Sequence, residues 1–122
     1  MTIHDPDNRP TVLIFDKAPE LRRLFDVVLR RVARCVVPND VPDAVTMVWG
    51  RVCDVVLVEL AAPGSWEVLT ASVEAHVPVV VVTSWLTPDR LAKAKSMGTT
   101  AVVTKPYSPA VLRDTVLEAL NT

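Results

Sequence analysis

Acids, lysines and hydroxyls stand at the ends of several apolar runs in this chain of 122 residues. They are Asp16-Lys17 after TVLIF, Glu59 in DVVLVEL, Thr83-Ser84 after VPVVVV, and Thr104-Lys105 after AVV. Grouped carboxylate oxygens can hold a divalent cation such as Mg²⁺. Here Lys17 and Lys105 balance the charges of Asp16 and Glu59, so the cluster can neutralise itself without a metal. Glu59 is the most informative position, because an unpaired charge inside an apolar run would be costly.

The cluster depends on strands to bring its members together. Continuous apolar runs, as opposed to alternating ones, are typical of parallel strands that are covered on both faces. The predicted strands are TVLIF at 11–15, CVV at 35–37, DVVLVEL at 54–60, VPVVVVT at 77–83 and AVVT at 101–104.

Helical patterns lie between these strands. Apolar residues at steps of three and four predict helices over about 19–33, 42–51 and 65–76, with an inward face that includes Val32, Trp49, Val52 and Trp66. Two more helices begin at Thr87-Pro88 and Ser108-Pro109, since a hydroxyl caps free backbone N–H groups and proline fits the first turn. Gly98 ends the first of these two, and the second runs to the C-terminus.

The alternation predicts an α/β fold of three layers, a doubly wound (βα)5 domain with a parallel sheet of five strands. We expect one domain over residues 11–122, after a flexible arm at 1–10 that is rich in Pro, Asp and Asn. In such folds the carboxyl ends of the strands meet in one crevice. The acids, lysines and hydroxyls are therefore expected at one edge of the sheet.

Composition excludes several classes of protein. The net charge is -1 and half of the residues are hydrophobic, which fits neither a disordered chain nor a strongly basic nucleic-acid binder. The longest apolar run is too short for a bilayer, and no signal core follows the start, so we expect a cytoplasmic protein without membrane contact. Cys35 and Cys53 lack metal-ligand spacing and are predicted to be reduced, buried thiols.

The sequence resembles the receiver domains of bacterial response regulators, the chemotaxis-regulator-like family. The resemblance covers residues 11–121 and is carried by VLIFDKAPELRRLF, CDVVLVELAAPGSWEVL, VPVVVVTS and TTAVVTKPY in family order. It implies the flavodoxin-like strand order 2-1-3-4-5 and a cis peptide bond before Pro106. By position Asp16 matches an acid that holds Mg²⁺ in the family, Thr83 the hydroxyl after the fourth strand, and Lys105 the lysine after the fifth.

Three positions depart from the family pattern. Lys17 replaces a second Mg²⁺-binding acid, Glu59 replaces the aspartate that accepts the phosphoryl group, and Val102 replaces an aromatic residue that reports phosphorylation in many members. We therefore predict a degenerate phosphoacceptor pocket with no catalytic residues, no cofactor and no metal, in which the Lys17 ammonium takes the role of Mg²⁺. Glu59 is then either a structural ion-pair partner or a permanent mimic of the modified state.

The predicted function is that of an atypical receiver, a protein-interaction module that is not an enzyme and does not depend on phosphorylation. The resemblance implies a signalling partner such as a histidine kinase, another regulator or an output protein. The face of the fourth helix, fifth strand and fifth helix, with Trp85, Val102 and Tyr107, is a candidate switch or interface and a candidate homodimer contact. Trp85 there is either an interface anchor or a packing residue.

Two other functions stay open at this point. One is a working Mg²⁺-dependent receiver that is phosphorylated on Glu59 or Asp16. The other is a flavin or nucleotide binder on the same doubly wound fold, although the DKAPEL turn lacks the Gly, Ser and Thr residues that cradle phosphate.

Overall fold

The computed structural model describes residues 8–83 and 87–121. Its strands are β1 (Thr11–Phe15), β2 (Arg34–Val36), β3 (Val55–Glu59), β4 (Val79–Thr83) and β5 (Ala101–Thr104). Its helices are α1 (Glu20–Val28), α2 (Val41–Trp49), α3 (Ser65–Glu74), α4 (Pro88–Ser96) and α5 (Pro109–Leu120). Strands and helices alternate along the chain, as the apolar runs and helical periods predict.

The sheet has the order β2-β1-β3-β4-β5, and every neighbouring pair is parallel. This is the predicted flavodoxin-like order. Strands β3 and β4 are buried along their whole length, which explains why they read as continuous apolar runs. Because all five strands point the same way, their carboxyl ends lie at one edge of the sheet, which we call the carboxyl edge.

Two apolar clusters fill the space on the two faces of the sheet. One cluster joins the sheet to α1 and α5 through Leu21, Phe25, Leu112 and Val116. The other joins it to α2 and α3 through residues such as Val48 and Leu69. The molecule therefore has three layers, with α1 and α5 on one face and α2 and α3 on the other.

The starts of the later helices agree with the sequence signals. Thr87 accepts a hydrogen bond from the N–H of Arg90, and Ser108 accepts one from the N–H of Val111. Gly98, which follows α4, has a φ of 95°, a conformation that costs glycine nothing. The peptide bond between Lys105 and Pro106 is cis, as the family resemblance implies.

The ends of α1 and α2 were predicted too late in the chain. Helix α1 ends at Val28, and the following turn buries Leu29 and Ala33 while it leaves Val32 43 % exposed. Helix α2 ends at Trp49, and a turn through Arg51, whose φ is 53°, leaves Val52 exposed. Once the helix stops, the step of three or four residues no longer decides which side chains face inward.

Trp49 is a second correction. It was predicted to pack in the core, yet it is 53 % exposed, because Ala44 and Val48 form the buried stripe of α2 and Trp49 lies at its margin. Trp66 is half-buried and packs against the cluster of α2 and α3, in agreement with its predicted packing role. Cys53 is buried and Cys35 is half-buried, and both are free thiols.

The predicted flexible arm falls mainly on residues 1–7, which lie outside the described part of the chain. Of its last residues, Arg9 donates a hydrogen bond to the carbonyl of Arg30, and the Pro10 carbonyl accepts one from the N–H of Arg34. The described part contains no helix long and apolar enough to cross a membrane.

Candidate functional site

The carboxyl edge of the sheet brings the predicted site residues close to one another. Asp16 follows β1, Glu59 is the last residue of β3, Thr83 ends β4, and Lys105 follows β5. The register pairs Glu59 with Val82 and Thr83 with Thr104, so these positions lie side by side across neighbouring strands. The edge therefore carries acids, a hydroxyl and a lysine together.

The contacts of Glu59 explain how an acid is tolerated in an apolar strand. Its side chain is 6 % exposed, and its Oε1 accepts a hydrogen bond of 3.1 Å from the N–H of Ala61. Its Oε2 lies 3.2 Å from Nζ of Lys105. Oε2 is fully buried and accepts no hydrogen bond within the described part of the chain. Its contact with Lys105 is therefore an ion pair whose angles do not meet those of a hydrogen bond. Glu59 is thus a buried charge that depends on one cation.

The Lys105 ammonium contacts two carboxylates. Its Nζ lies 3.2 Å from Glu59 and 3.4 Å from Oε2 of Glu20, and its side chain is 24 % exposed. Partial burial lowers the pKa of Lys105, but the contacts with Glu59 and Glu20 outweigh that effect, so the net pKa is raised. The ammonium therefore stays charged throughout the neutral range.

The Asp16 carboxylate accepts hydrogen bonds from backbone N–H groups at the start of α1. Its Oδ1 accepts from the N–H of Ala18 at 3.1 Å and its Oδ2 accepts from the N–H of Leu21 at 3.3 Å. Pro19, at the cap position of α1, makes no side-chain capping bond. The Asp16 carboxylate therefore supplies the hydrogen bonds that the start of α1 needs.

Lys17 is predicted to lie beside Asp16 and Glu59 in the role of Mg²⁺, but its position in the structure is different. Lys17 is exposed, and across residues 8–83 and 87–121 no ion pair joins it to Asp16 or Glu59. The cation that neutralises Glu59 is Lys105, and Glu20 adds a third acid that the sequence reading missed. Glu20 is the first residue of α1, which starts directly after the carboxyl end of β1, and that position was the available signal.

The remaining candidate residues lie around this centre. Thr83 is buried at the end of β4, whereas Ser84 and Trp85 lie outside the described residues. Val102 packs against the cluster on the α2 and α3 face, and Tyr107 packs against the cluster on the α1 and α5 face. Burial raises the pKa of Tyr107, with nearby carboxylates adding to the rise and Lys105 opposing it.

A recess of about 610 Å³ opens beside Lys105 and Tyr107 towards α1, where Glu20 and Arg23 also line it. A second recess of about 390 Å³ lies between the end of β1 and the start of α2, with Asp16, Lys17 and Asp40 on its wall. Asp40 caps α2, and Asp43 accepts from the N–H of Asn39, so acids surround that helix start. This is unfavourable for the phosphate of a nucleotide or flavin.

The fold has many relatives among solved structures. A response regulator from Thermotoga maritima matches with a TM-score of 0.80 and 17 % identity, over 93 % of this chain and 99 % of that one. A DNA-binding response regulator of the LuxR family from Staphylococcus aureus matches with a TM-score of 0.78 and 23 % identity, over 92 % of this chain and 99 % of that one. A CheY-like response regulator receiver domain protein from Methanospirillum hungatei JF-1 gives 0.76 and 15 %, over 93 % and 94 %.

This chain has the receiver fold. No protein-family model matches its sequence, and no curated protein does. The likeness to receivers is therefore one of strand order, layers and chain length.

The receiver fold implies a Mg²⁺ ion at the carboxyl edge, and the residues present here fit that ion poorly. Mg²⁺ takes hard oxygen ligands, usually one or two carboxylates with water. Among the described residues no group of three or more His, Cys, Asp or Glu side chains could hold a metal ion. Both Asp16 oxygens already accept backbone N–H groups, and Glu59 faces the Lys105 ammonium.

Proposed function

We propose that this chain is an atypical receiver domain of bacterial two-component signal transduction, which binds a signalling protein without being phosphorylated and has no enzymatic activity of its own. The observation that carries the proposal is the buried ion pair between Glu59 and Lys105, at the strand end where a receiver has its phosphoacceptor. The receiver fold supports the assignment to signalling.

The environment of Glu59 argues against phosphoryl transfer. Transfer requires a nucleophilic oxygen in line with the phosphoryl group, and an error of about 1 Å can cost roughly a hundredfold in rate. Glu59 is one methylene longer than aspartate, one of its oxygens is fully buried against Lys105, and the other accepts from Ala61. The carboxylate is held back from an incoming phosphodonor.

The charge of the pocket argues in the same direction. Lys17 stands where receivers have a second acid, so the Asp16 side of the pocket gains a positive charge and loses a ligand. A divalent cation at Glu59 would meet the Lys105 ammonium, which lies 3.2 Å from that carboxylate, and like charges at close range repel. We therefore propose that the unmodified domain is the form that its partner recognises.

Glu59 has two proposed roles that share this inertness. In the first it is a structural counter-ion for Lys105. In the second it imitates the charge of a phosphorylated receiver, and the domain is held in the partner-binding state. The proposed partner is a histidine kinase, another regulator or an output protein. It would bind the face of α4, β5 and α5, which carries Val102, Tyr107 and Trp85. We also propose a homodimer through this face and a cytoplasmic location.

The decisive experiment is incubation with acetyl phosphate and Mg²⁺, followed by intact mass spectrometry, with beryllofluoride and tryptophan fluorescence as a second measurement. We expect no added phosphoryl mass and no fluorescence change that requires Mg²⁺. The matched control is the double variant Lys17→Asp with Glu59→Asp, which restores both acids and is expected to respond to beryllofluoride with Mg²⁺. A Mg²⁺-dependent adduct on the wild-type chain, on Glu59 or Asp16, would refute the proposal.

A further inference from the structure

A groove between α2 and α3 has no assigned role. It has a volume of about 400 Å³, and its walls include Val45, Trp49, Trp66, Glu67, Ala71 and Glu74. We call it the tryptophan groove. It lies on the α2 and α3 face of the sheet, away from the Glu59 and Lys105 pair, and the proposed function makes no use of it.

The tryptophan groove has the composition of a binding surface. Trp49 is 53 % exposed, and a large aromatic side chain left in water is an unused source of binding energy. Of the described residues that line the groove, the only charged ones are Glu67 and Glu74, both exposed. Lys93 of α4 lies 4.3 Å from the centre of the Trp66 ring but does not line the groove, so the two glutamates are left to attract a cation there. The groove suits an apolar side chain flanked by positive charge.

A surface of that kind exists on α1 of the same chain. Val27 is 80 % exposed, the highest value among the exposed large apolar side chains of the described residues. Arg23 lies one helical turn before it and lines a recess with it, and the exposed Arg31 lies in the turn that follows the end of α1. We call these three residues the basic strip. Asp26, the neighbouring acid, lines a different recess with Arg30 and Arg34, and Glu20 contacts Lys105.

The two surfaces cannot meet within one molecule, because α1 and the pair of α2 and α3 lie on opposite faces of the sheet. We propose that the basic strip of one copy docks into the tryptophan groove of another, with Val27 against Trp49 and the arginines beside Glu67 and Glu74. One contact then covers two exposed apolar side chains and pairs opposite charges.

Such a contact is head-to-tail. Each copy offers both a strip and a groove, so association continues beyond a dimer unless the rotation closes a ring. The proposal is independent of the state of Glu59. It also differs from a symmetric dimer through α4, β5 and α5, which would stop at two copies.

The test is sedimentation velocity of the full chain over a range of concentrations. We expect the average mass to rise with concentration and to pass that of a dimer, and to fall when salt is added because the contact is partly ionic. A chain that stays monomeric at all concentrations, or stops at a dimer, would overturn the proposal.

Charge-reversed variants make the test specific. The groove variant Glu67→Lys with Glu74→Lys and the strip variant Arg23→Glu with Arg31→Glu should each associate no further than a dimer when alone. Mixed in equal amounts they should associate again, since the positive groove of one variant fits the negative strip of the other and the two native surfaces also remain complementary. A mixture that associates no further than either variant alone would contradict the pairing, and circular dichroism of each variant checks that it is folded.

A pair of valine variants tests the apolar part. Val27→Ser should weaken self-association about tenfold, the effect of losing one buried valine. Val111→Ser is the matched control, because Val111 is 50 % exposed on α5 and belongs to neither surface. Equal effects of the two changes would exclude the basic strip as the docking surface.

Discussion

The carboxylate of Glu59 lies 3.2 Å from the ammonium of Lys105, across the buried end of β4 that separates β3 from β5 in the sheet. The residue numbers are far apart, and the parallel strand order alone brings the two together. Glu59 is buried and needs a cation to balance its charge. Lys105 supplies that cation while it is partly buried and also contacts Glu20.

Loss of the Glu59 charge should destabilise the fold. Glu59→Gln retains an acceptor for the N–H of Ala61 but removes the charge that faces Lys105. Breaking a fully buried pair costs about 3 to 5 kcal/mol. Because Lys105 is 24 % exposed and keeps Glu20, we expect a loss of about 1 to 2 kcal/mol in the free energy of unfolding, measured by urea denaturation at pH 7. Glu20→Gln, at an exposed position, is the control and should cost less than about 1 kcal/mol.

Stability should decline at alkaline pH because of Cys53. Burial, together with the nearby Asp54 carboxylate, raises the pKa of the Cys53 thiol from 9.0 to about 11. A raised folded pKa means that the unfolded chain loses this proton first, so the stabilisation is complete below pH 9.0 and is lost as pH rises towards about 11. We expect a fall of about 1 to 2 kcal/mol over that window, after allowance for solvent screening.

The variant Cys53→Ala tests this origin. It lowers stability at every pH because a buried thiol is removed, but the slope between pH 9 and 10 should be shallower than in the wild-type chain. Lys105 and Tyr107 also have raised pKa values, and they contribute a decline of the same sign at higher pH. An unchanged slope in the variant would show that the thiol is not responsible.

The hydrogen bonds of Asp16 predict a helix-capping role. Asp16→Ala removes the acceptors for the N–H groups of Ala18 and Leu21, and should lower the free energy of unfolding by about 1 kcal/mol. Asp16→Asn keeps one acceptor oxygen and should recover about half of that loss. Thermal denaturation without metal is the measurement. If addition of Mg²⁺ stabilised the wild-type chain but not either variant, the carboxylate would have a metal-binding role instead.

Gly64 should not tolerate a side chain. Its φ is 81°, and a Cβ atom there would overlap a methyl group of Val41 at the start of α2. Gly98 provides a matched control, since its φ is 95° but its Cβ would have an ordinary contact of 3.5 Å with Val73. We expect Gly98→Ala to cost about 1 kcal/mol and Gly64→Ala about 2 to 3 kcal/mol, because the second combines backbone strain with overlap. Urea denaturation of both variants gives the difference, and equal losses would mean that Val41 moves aside freely.

The fold could be predicted from the sequence because its signals are local. Continuous apolar runs mark strands that are covered on both faces, and Thr87 and Ser108 mark helix starts through bonds that span three residues. The end of α1 has no such marker. Val32 continues the apolar period, but no glycine or proline shows where the helix stops, and the chain turns at Leu29.

The sequence predicts which residues lie at the site, but not which of their side chains contact each other. The strand ends place Asp16, Lys17, Glu59, Thr83 and Lys105 at the carboxyl edge. Which side chains meet depends on the path of each turn after its strand, and there Asp16 turns to α1 while Lys17 points into water. Glu20 pairs with a residue 85 positions away, a contact that only the assembled fold creates.

The stacking of Lys93 on Trp66 connects α4 to α3 with an aromatic ring at the junction. An indole changes its emission when a nearby ammonium leaves, so a displacement of α4 would be visible in the light emitted by Trp66 without any attached dye. Replacing the other two tryptophans with phenylalanine would make Trp66 the single fluorescent reporter of the position of that helix, readable in a stopped-flow instrument.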